Sequence, residues 1–370
     1  MIKKKKMFIV GLMSGTSMDG IDATLVNTNG INLERENIQH FQEYKPHTLR
    51  LLLIAFKNPL DYIKESSVKK TLNNLITIDH ARAIKSLLKK TNIKPDLIGF
   101  HGQTIYHNPN KKITLQLGNP QLLADLTKID IISDFRKNDI LNHGEGAPIA
   151  PIYHKHLITK LKLPTPCCFI NIGGVSNLTY YNGKELIAFD TGPGNGLMDT
   201  IIQEKTNLKF DNKGCLASTG NKNNKIIDSF FKHSYFQKKP PKSLDRQTFK
   251  KILLKIENRK ICLEDSITTL AELTIDSIIK GYKLLPEEPK FSVIMGGGMF
   301  NLYLVSKLKQ RLPGIVKTAK EVQLPGNMIE AELIAYLSAR SIYNLPFTFP
   351  KTTGVAKALS GGNYYQTKFK

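Results

Sequence analysis

The run from Phe8 to Val26 constrains the fold most: an apolar stretch, Phe8–Val10, enters Gly11-Leu12-Met13-Ser14-Gly15-Thr16-Ser17-Met18-Asp19-Gly20, and the alternating Ile21–Val26 leaves it. Two strand-like segments joined by a turn rich in glycine and hydroxyls make a cradle for phosphate, because bare backbone lets amide N–H groups converge on an anion while Ser14, Thr16 and Ser17 add neutral donors. The GxxxxGK[ST] pattern is absent, and a dinucleotide-binding turn should feed a helix, whereas Ile21–Val26 is β-branched. The turn therefore joins two antiparallel strands. On this segment alone an ordinary hairpin is an equal alternative.

The chain has 370 residues, 41% hydrophobic and 23% charged, enough for two α/β domains. Lys3–Lys6 followed by Met7–Met13 imitates a signal peptide, but the apolar part is short and no small-x-small site closes it, so a cytoplasmic protein is expected, with no membrane partner. Cys167, Cys168, Cys215 and Cys262 form neither CxxC nor a zinc spacing. The net charge of +22 comes from lysines spread along the chain with no aromatic-basic motif. Specific nucleic-acid binding is not expected; the charge instead draws anionic metabolites.

The grammar of the first part restarts midway. Strands are expected at Met7–Met13, Ile21–Val26 and Ile31–His40, helices at Thr48–Lys57 and Val68–Leu88, and a strand at Asp96–Phe100 that ends before His101. Thr114–Leu117 and Ile129–Phe135 add strands, with a helix over Pro120–Thr127 between them. Cys168–Tyr181 then repeats strand, glycine turn and strand, with Asn171, Gly173, Gly174 and Ser176 in a second phosphate turn, and Leu186–Asp190 gives a third strand. A helix over Leu197–Glu204, a lysine-rich insertion at 207–245, a strand at Phe291–Met295 and a helix over Glu330–Tyr343 follow. Two copies of one plan are expected: an N-terminal lobe, 1–140, completed by 346–370, and a C-terminal lobe, 141–345, with ligands in the cleft between them.

Asp190 precedes the rigid Gly192-Pro193-Gly194 corner and a helix start, which is expected to expose its carboxylate to take a proton from a hydroxyl or water. Gly296-Gly297-Gly298 and Asn301 join a strand to a helix and suit the approach of a nucleotide ring or ribose. Arg136, with its fork of donors, is a candidate to hold a substrate acid, and a surface pair with Asp134 or Asp139 is the alternative. His101 and Gln103 are candidates for sugar hydroxyls. Glu330 is a second candidate carboxylate, although an acid in a helix first turn also suits the helix dipole.

Together these blocks, with His101-Gly102-Gln103-Thr104, Gln116-Leu117-Gly118, Asp134-Phe135-Arg136, Asp190–Asn195 and Glu330-Ala331, resemble the anhydro-N-acetylmuramic acid kinases of bacterial cell-wall recycling, from about Met7 to Tyr364. The resemblance implies the actin, hexokinase and chaperone ATPase fold (ribonuclease H-like), with two duplicated lobes and an interdomain cleft. It also implies hydrolysis of the anhydro bridge of 1,6-anhydro-N-acetylmuramic acid with phosphorylation of the 6-oxygen, giving N-acetylmuramic acid 6-phosphate and ADP. By that likeness Asp190 is the base that activates water and Glu330 its helper. Gly11, Ser14, Gly15, Thr16, Ser17, Asp19, Gly20, Asn171, Gly173, Gly174, Gly296, Gly297 and Asn301 serve the nucleotide. His101, Gln103, Arg136 and Asn195 serve the sugar. The implied cofactors are ATP and Mg2+, with Asp19 the nearest metal ligand because no acid stands near Met13; a homodimer is left open. Three departures from the family pattern stand out: His143 and Glu145 in the turn before Ala147-Pro148, Asp125 for a usual Glu, and Lys128 where glycine is common. Another sugar or acyl kinase of the same fold, or a nonenzymatic nucleotide-binding regulator, are the rival readings.

Overall fold

The computed structural model describes residues 4–15, 18, 20–59, 66–108, 111–244, 248, 249, 251–324 and 326–369. Twelve strands are found among them: β1 Met7–Ser14, β2 Gly20–Thr28, β3 Leu33–Glu43, β4 Leu97–Asn108, β5 Ile113–Leu117, β6 Ile131–Ser133, β7 Cys167–Ile172, β8 Val175–Tyr181, β9 Leu186–Pro193, β10 Phe291–Met295, β11 Ile315–Thr318 and β12 Asn363–Tyr365. They fall in two compact units, Met1–His156 with Asn327–Lys370, and Leu157–Gly326.

In the first unit the sheet order is β12-β6-β4-β1-β2-β3, with β5 paired to β4. β1 and β2 are antiparallel from Met7↔Thr28 to Met13↔Asp22, so the glycine-rich segment connects two paired strands. β4 joins β1 in parallel, and β6 joins β4 in parallel. In the second unit the order is β11-β10-β7-β8-β9. Here too three antiparallel strands come first, and β10 and β11 extend the sheet in parallel. Each unit therefore carries the same five-strand plan, the duplication expected of the ribonuclease H-like fold. β10, buried at every residue, and the apolar β7 read as continuous hydrophobic runs because they lie inside a parallel pairing.

The division between units differs from the sequence expectation. Residues 141–156 and 327–345 cluster with the first unit, because the Ile329–Ile342 helix lies directly on β1 and β4. A Cβ built on Gly11 would sit 1.9 Å from the Ala331 carbonyl oxygen, and one on Gly99 2.3 Å from Ser338 Oγ. The same helix is locked by Glu332, 2% exposed, whose carboxylate accepts from Arg35 Nε at 2.6 Å and from the Tyr153 hydroxyl. At the chain's end β12 pairs antiparallel with β6, and Asp125 Oδ1 accepts from the Lys368 N–H at 3.1 Å.

The Pro120–Thr127 helix follows from its ends: Asn119 Oδ1 accepts from the Leu122 N–H, proline stands in the first turn, and Lys128 closes it at φ 58°. That left-handed conformation explains why glycine suits position 128. Within the lysine-rich insertion a helix forms over Asn224–Phe231 and another follows the insertion at Lys251–Asn258, and Phe230 packs with Phe236 and Phe249 in an aromatic cluster. Among the described residues no helix is long and apolar enough to cross a membrane. Cys167 and Cys168 are buried, Cys215 and Cys262 are exposed, and all four are free thiols.

Candidate active site

β8 and β9 pair in register up to Asn177↔Asp190, and then the ladder slips, with Ser176 opposite Gly192. The extra residue, Thr191, makes a bulge, a device that re-aims neighbouring side chains. Its hydroxyl is 2.7 Å from Ser176 Oγ, which also donates to the Pro193 carbonyl, so the bulge is pinned from inside. Asp190 sits at this step. Contrary to the expectation of an exposed carboxylate, it is 6% exposed, because the end of the insertion runs alongside it. The Asp190 N–H donates to the Lys242 carbonyl at 3.0 Å, and Asp190 Oδ2 accepts from the Leu244 N–H at 2.7 Å. A carboxylate fixed by a backbone donor keeps one orientation, as a base needs.

The corner after Asp190 holds the second glycine turn. Asn195 N–H donates to Gly173 O at 2.7 Å, and the N–H groups of Gly194 and Gly196 donate to Gly174 O. A Cβ on Gly194 would lie 2.1 Å from Gly173 O, so only glycine permits this approach. Gly173 itself is open: a Cβ there would meet nothing nearer than 3.6 Å. Gly296, at φ 76°, lies against Asn171 Oδ1, and a Cβ on Gly297 would be 3.5 Å from Asn195 Nδ2. Asn171, Gly173, Gly174, Asn195, Gly296 and Gly297 thus gather at the C-terminal ends of β7 and β10, the end of a parallel pair where α/β sheets take ligands. Asn195 Oδ1 is buried with no hydrogen-bond partner among the described residues. Asn301 is a correction: its side chain caps the Leu302–Arg311 helix by accepting from the Leu304 N–H at 3.1 Å, and it is 7% exposed.

In the first unit, Ser14 ends β1 and Gly15 follows it, and Gly15 O accepts from Met18 N–H and from Gln103 Nε2 at 3.0 Å. Thr16, Ser17 and Asp19 lie outside the described residues. Gly11 and Gly20 are further corrections: Gly11 lies within β1 under Ala331, and a Cβ on Gly20 would strike the Phe41 ring at 2.5 Å, so both are glycine for packing. Strand β4 does not end before His101 but runs on to Asn108, because β5 pairs with its second half. Gln103 is wholly buried, with Oε1 accepting from the Tyr44 hydroxyl; it ties the turn to β4 and offers nothing to a sugar hydroxyl in this arrangement.

His101 and Arg136 form one unit. His101 Nδ1 donates to the Gly102 carbonyl at 2.9 Å, leaving Nε2 to accept from Arg136 Nε at 3.0 Å. Burial, helped by Arg136, pushes the His101 pKa down to about 3, so the ring is neutral at ordinary pH. Arg136 also donates to Gly146 O at 2.8 Å, and these two bonds fix the plane of its fork. The pairing of Arg136 with Asp134 or Asp139 considered from sequence is not what forms: Asp134 pairs with Lys137, and Asp139 accepts from Gly146 N–H and the Thr353 hydroxyl. Glu330 is half-buried in the first turn of its helix. No sequence signal marked the Lys242–Leu244 segment that holds Asp190; the insertion reads only as polar and basic.

A family model described as anhydro-N-acetylmuramic acid kinase matches residues 7–367. The anhydro-N-acetylmuramic acid kinase of Zymomonas mobilis is 36% identical over 369 residues, covering 97% of this chain and 100% of that protein. That of Agrobacterium fabrum is 37% identical over 366 residues, covering 95% and 97%. Among solved structures, the activator of the 2-hydroxyisocaproyl-CoA dehydratase from Clostridium difficile with bound ADPNP aligns with 91% of this chain and 97% of its own, at 11% identity and a TM-score of 0.44.

Proposed function

The chain belongs to the anhydro-N-acetylmuramic acid kinase family, and from that premise we propose that it is an ATP-dependent kinase that opens 1,6-anhydro-N-acetylmuramic acid and phosphorylates it, a step of cell-wall recycling. Asp190 is the base. It takes a proton from water as the water oxygen bonds to the anomeric carbon; the bond from that carbon to the bridging oxygen breaks, and the freed 6-oxygen takes the γ-phosphoryl group of ATP. The products are N-acetylmuramic acid 6-phosphate and ADP. The observation that carries this reading is the Asp190 carboxylate, buried at the β9 bulge and held by the Leu244 N–H beside the glycine corner.

The Gly173–Gly174 turn suits a phosphate, since Gly173 leaves its space open, and Gly296–Gly297 offers bare backbone to the nucleoside. Asn195 Oδ1, buried and unpartnered among the described residues, calls for a donor such as a sugar hydroxyl. In the first unit the turn around Ser14 and Gly15 is the other phosphate loop. Arg136, oriented by His101, is the partner for the sugar's lactyl carboxylate. Glu330 assists as a second acid.

Magnesium fits a kinase as the ion that offsets charge on the transferring phosphoryl group. It binds through one or two carboxylates plus phosphate oxygens. Asp19, outside the described residues, is the proposed ligand; among the described residues no group of three His, Cys, Asp or Glu could hold a metal ion.

The test is product analysis after brief incubation with the anhydro sugar, ATP and magnesium in 18O-water. Label at the anomeric hydroxyl with none in the phosphate ester supports the reading. ADP formed with label in free phosphate, and no phosphorylated sugar, overturns it.

A further inference from the structure

The neighbours of Asp190 in β9, Phe189 and Thr191, line a cavity of 210 Å3 wholly inside the second unit. That is below the range of about 300–1,000 Å3 usual for pockets that take drug-sized ligands and suits one ring with an acid group. Phe231 and Phe236 of the insertion form aromatic walls with Phe189. Two ammonium groups, Lys242 and Lys280, line it, and no carboxylate is among its described lining residues.

Lys242 is 6% exposed, with Nζ 4.6 Å from the Tyr235 ring centroid and 3.3 Å from the Tyr235 carbonyl oxygen. Lys280 Nζ lies 4.8 Å from the Phe231 centroid. Lys280 is exposed, whereas for the buried Lys242 the aromatic faces and one carbonyl offset part of the cost of burying a cation, with no carboxylate paired to it among the described residues. Burial, with Lys238 adding to it, pushes the Lys242 pKa down to about 8. Ser277, which also lines the cavity, is fully buried, and its hydroxyl has no hydrogen-bond partner among the described residues.

We propose that this cavity binds a small organic anion, a carboxylate on a flat apolar body, and that its occupancy is felt at Asp190. The carboxylate meets the two ammonium groups and the Ser277 hydroxyl; the body stacks on the phenylalanines. The link is short. The Lys242 carbonyl accepts from the Asp190 N–H, and two residues on Leu244 N–H holds Asp190 Oδ2. A ligand that draws the Lys242 side chain shifts the segment that orients the carboxylate.

The probe is 4-fluorobenzoate, followed by 19F NMR on the full chain without ATP or sugar, so this arm stands or falls apart from the proposed reaction. Saturable binding is expected, with neutral 4-fluorobenzamide and inorganic phosphate at least about tenfold weaker, the scale of a lost charge-assisted hydrogen bond. Ser277→Ala removes an orphan hydroxyl, so it should unfold no earlier than the parent yet bind the probe about five- to tenfold less tightly; Lys280→Met should do the same to binding. Equal binding of the amide, no saturation, or unchanged affinity in both variants overturns the site. In kinase assays saturating probe should alter kcat in the parent by about twofold or more, with Ser277→Ala needing about five- to tenfold more probe for the same change, a coupling of modest size; binding with kcat unchanged overturns the link to Asp190.

Discussion

Gly11 and Asp190 are both buried in strands, and for opposite reasons. Gly11 is glycine because the Ala331 carbonyl occupies the place of its side chain, and Asp190 is acidic although burial disfavours a charge. Gly11→Ala must push the Ile329–Ile342 helix off β1, an overpacking worth about 1–3 kcal/mol or more. The urea midpoint is expected to fall accordingly; an unchanged midpoint would show that the helix gives way freely. At Asp190 the cost of burial is offset by the Leu244 N–H, a bond supplied by a segment more than fifty residues away. Such long-range partners leave no local mark, which explains why sequence identified the acid and missed what holds it.

At the scale of elements, what was legible followed from local rules. The Pro120–Thr127 helix is bounded by its own Asn119 cap and proline, and the β1–β2 hairpin by alternation around glycines. Where a partner strand decides, sequence fell short: β4 continues past His101 only because β5 pairs with it. Asn301 shows the same limit in a site residue. Its place after three glycines suggested a nucleotide contact, whereas the structure makes it the cap of the Leu302–Arg311 helix. Asn301→Ala is therefore expected to cost about 1 kcal/mol of stability while leaving the KM for ATP unchanged. A raised KM with an unaltered unfolding midpoint would return Asn301 to the nucleotide. The gathering of Asn171, Gly173, Gly174, Asn195, Gly296 and Gly297 was legible because each stands at a strand end. Arg136 was recognised as a donor, but its orientation by His101 depends on β4 and β6 lying side by side.

For the whole molecule, the two units share a strand order but differ in what they bury. His80, His101, His107 and His154 all lie in the first unit, and burial leads the causes that push them down to about 4, 3, 4 and 3. Each folded pKa is below the unfolded 6.5, so the unfolded chain binds more protons as pH falls below that value. The stability these neutral rings retain is full above pH 6.5 and is lost toward pH 4 to 3, at up to about 1.4 kcal/mol per pH unit for each ring. Hydrogen exchange corrected for intrinsic rates should show residues 1–156 and 327–370 losing protection before 157–326 between pH 7 and 5; the reverse order would contradict this. The central claim is that Asp190 takes the proton from water, and it is tested most directly by measuring turnover and ATP affinity on the same sample of Asp190→Asn. The account predicts turnover lower by a factor on the order of hundreds with ATP affinity nearly intact, and near-parent turnover would contradict it.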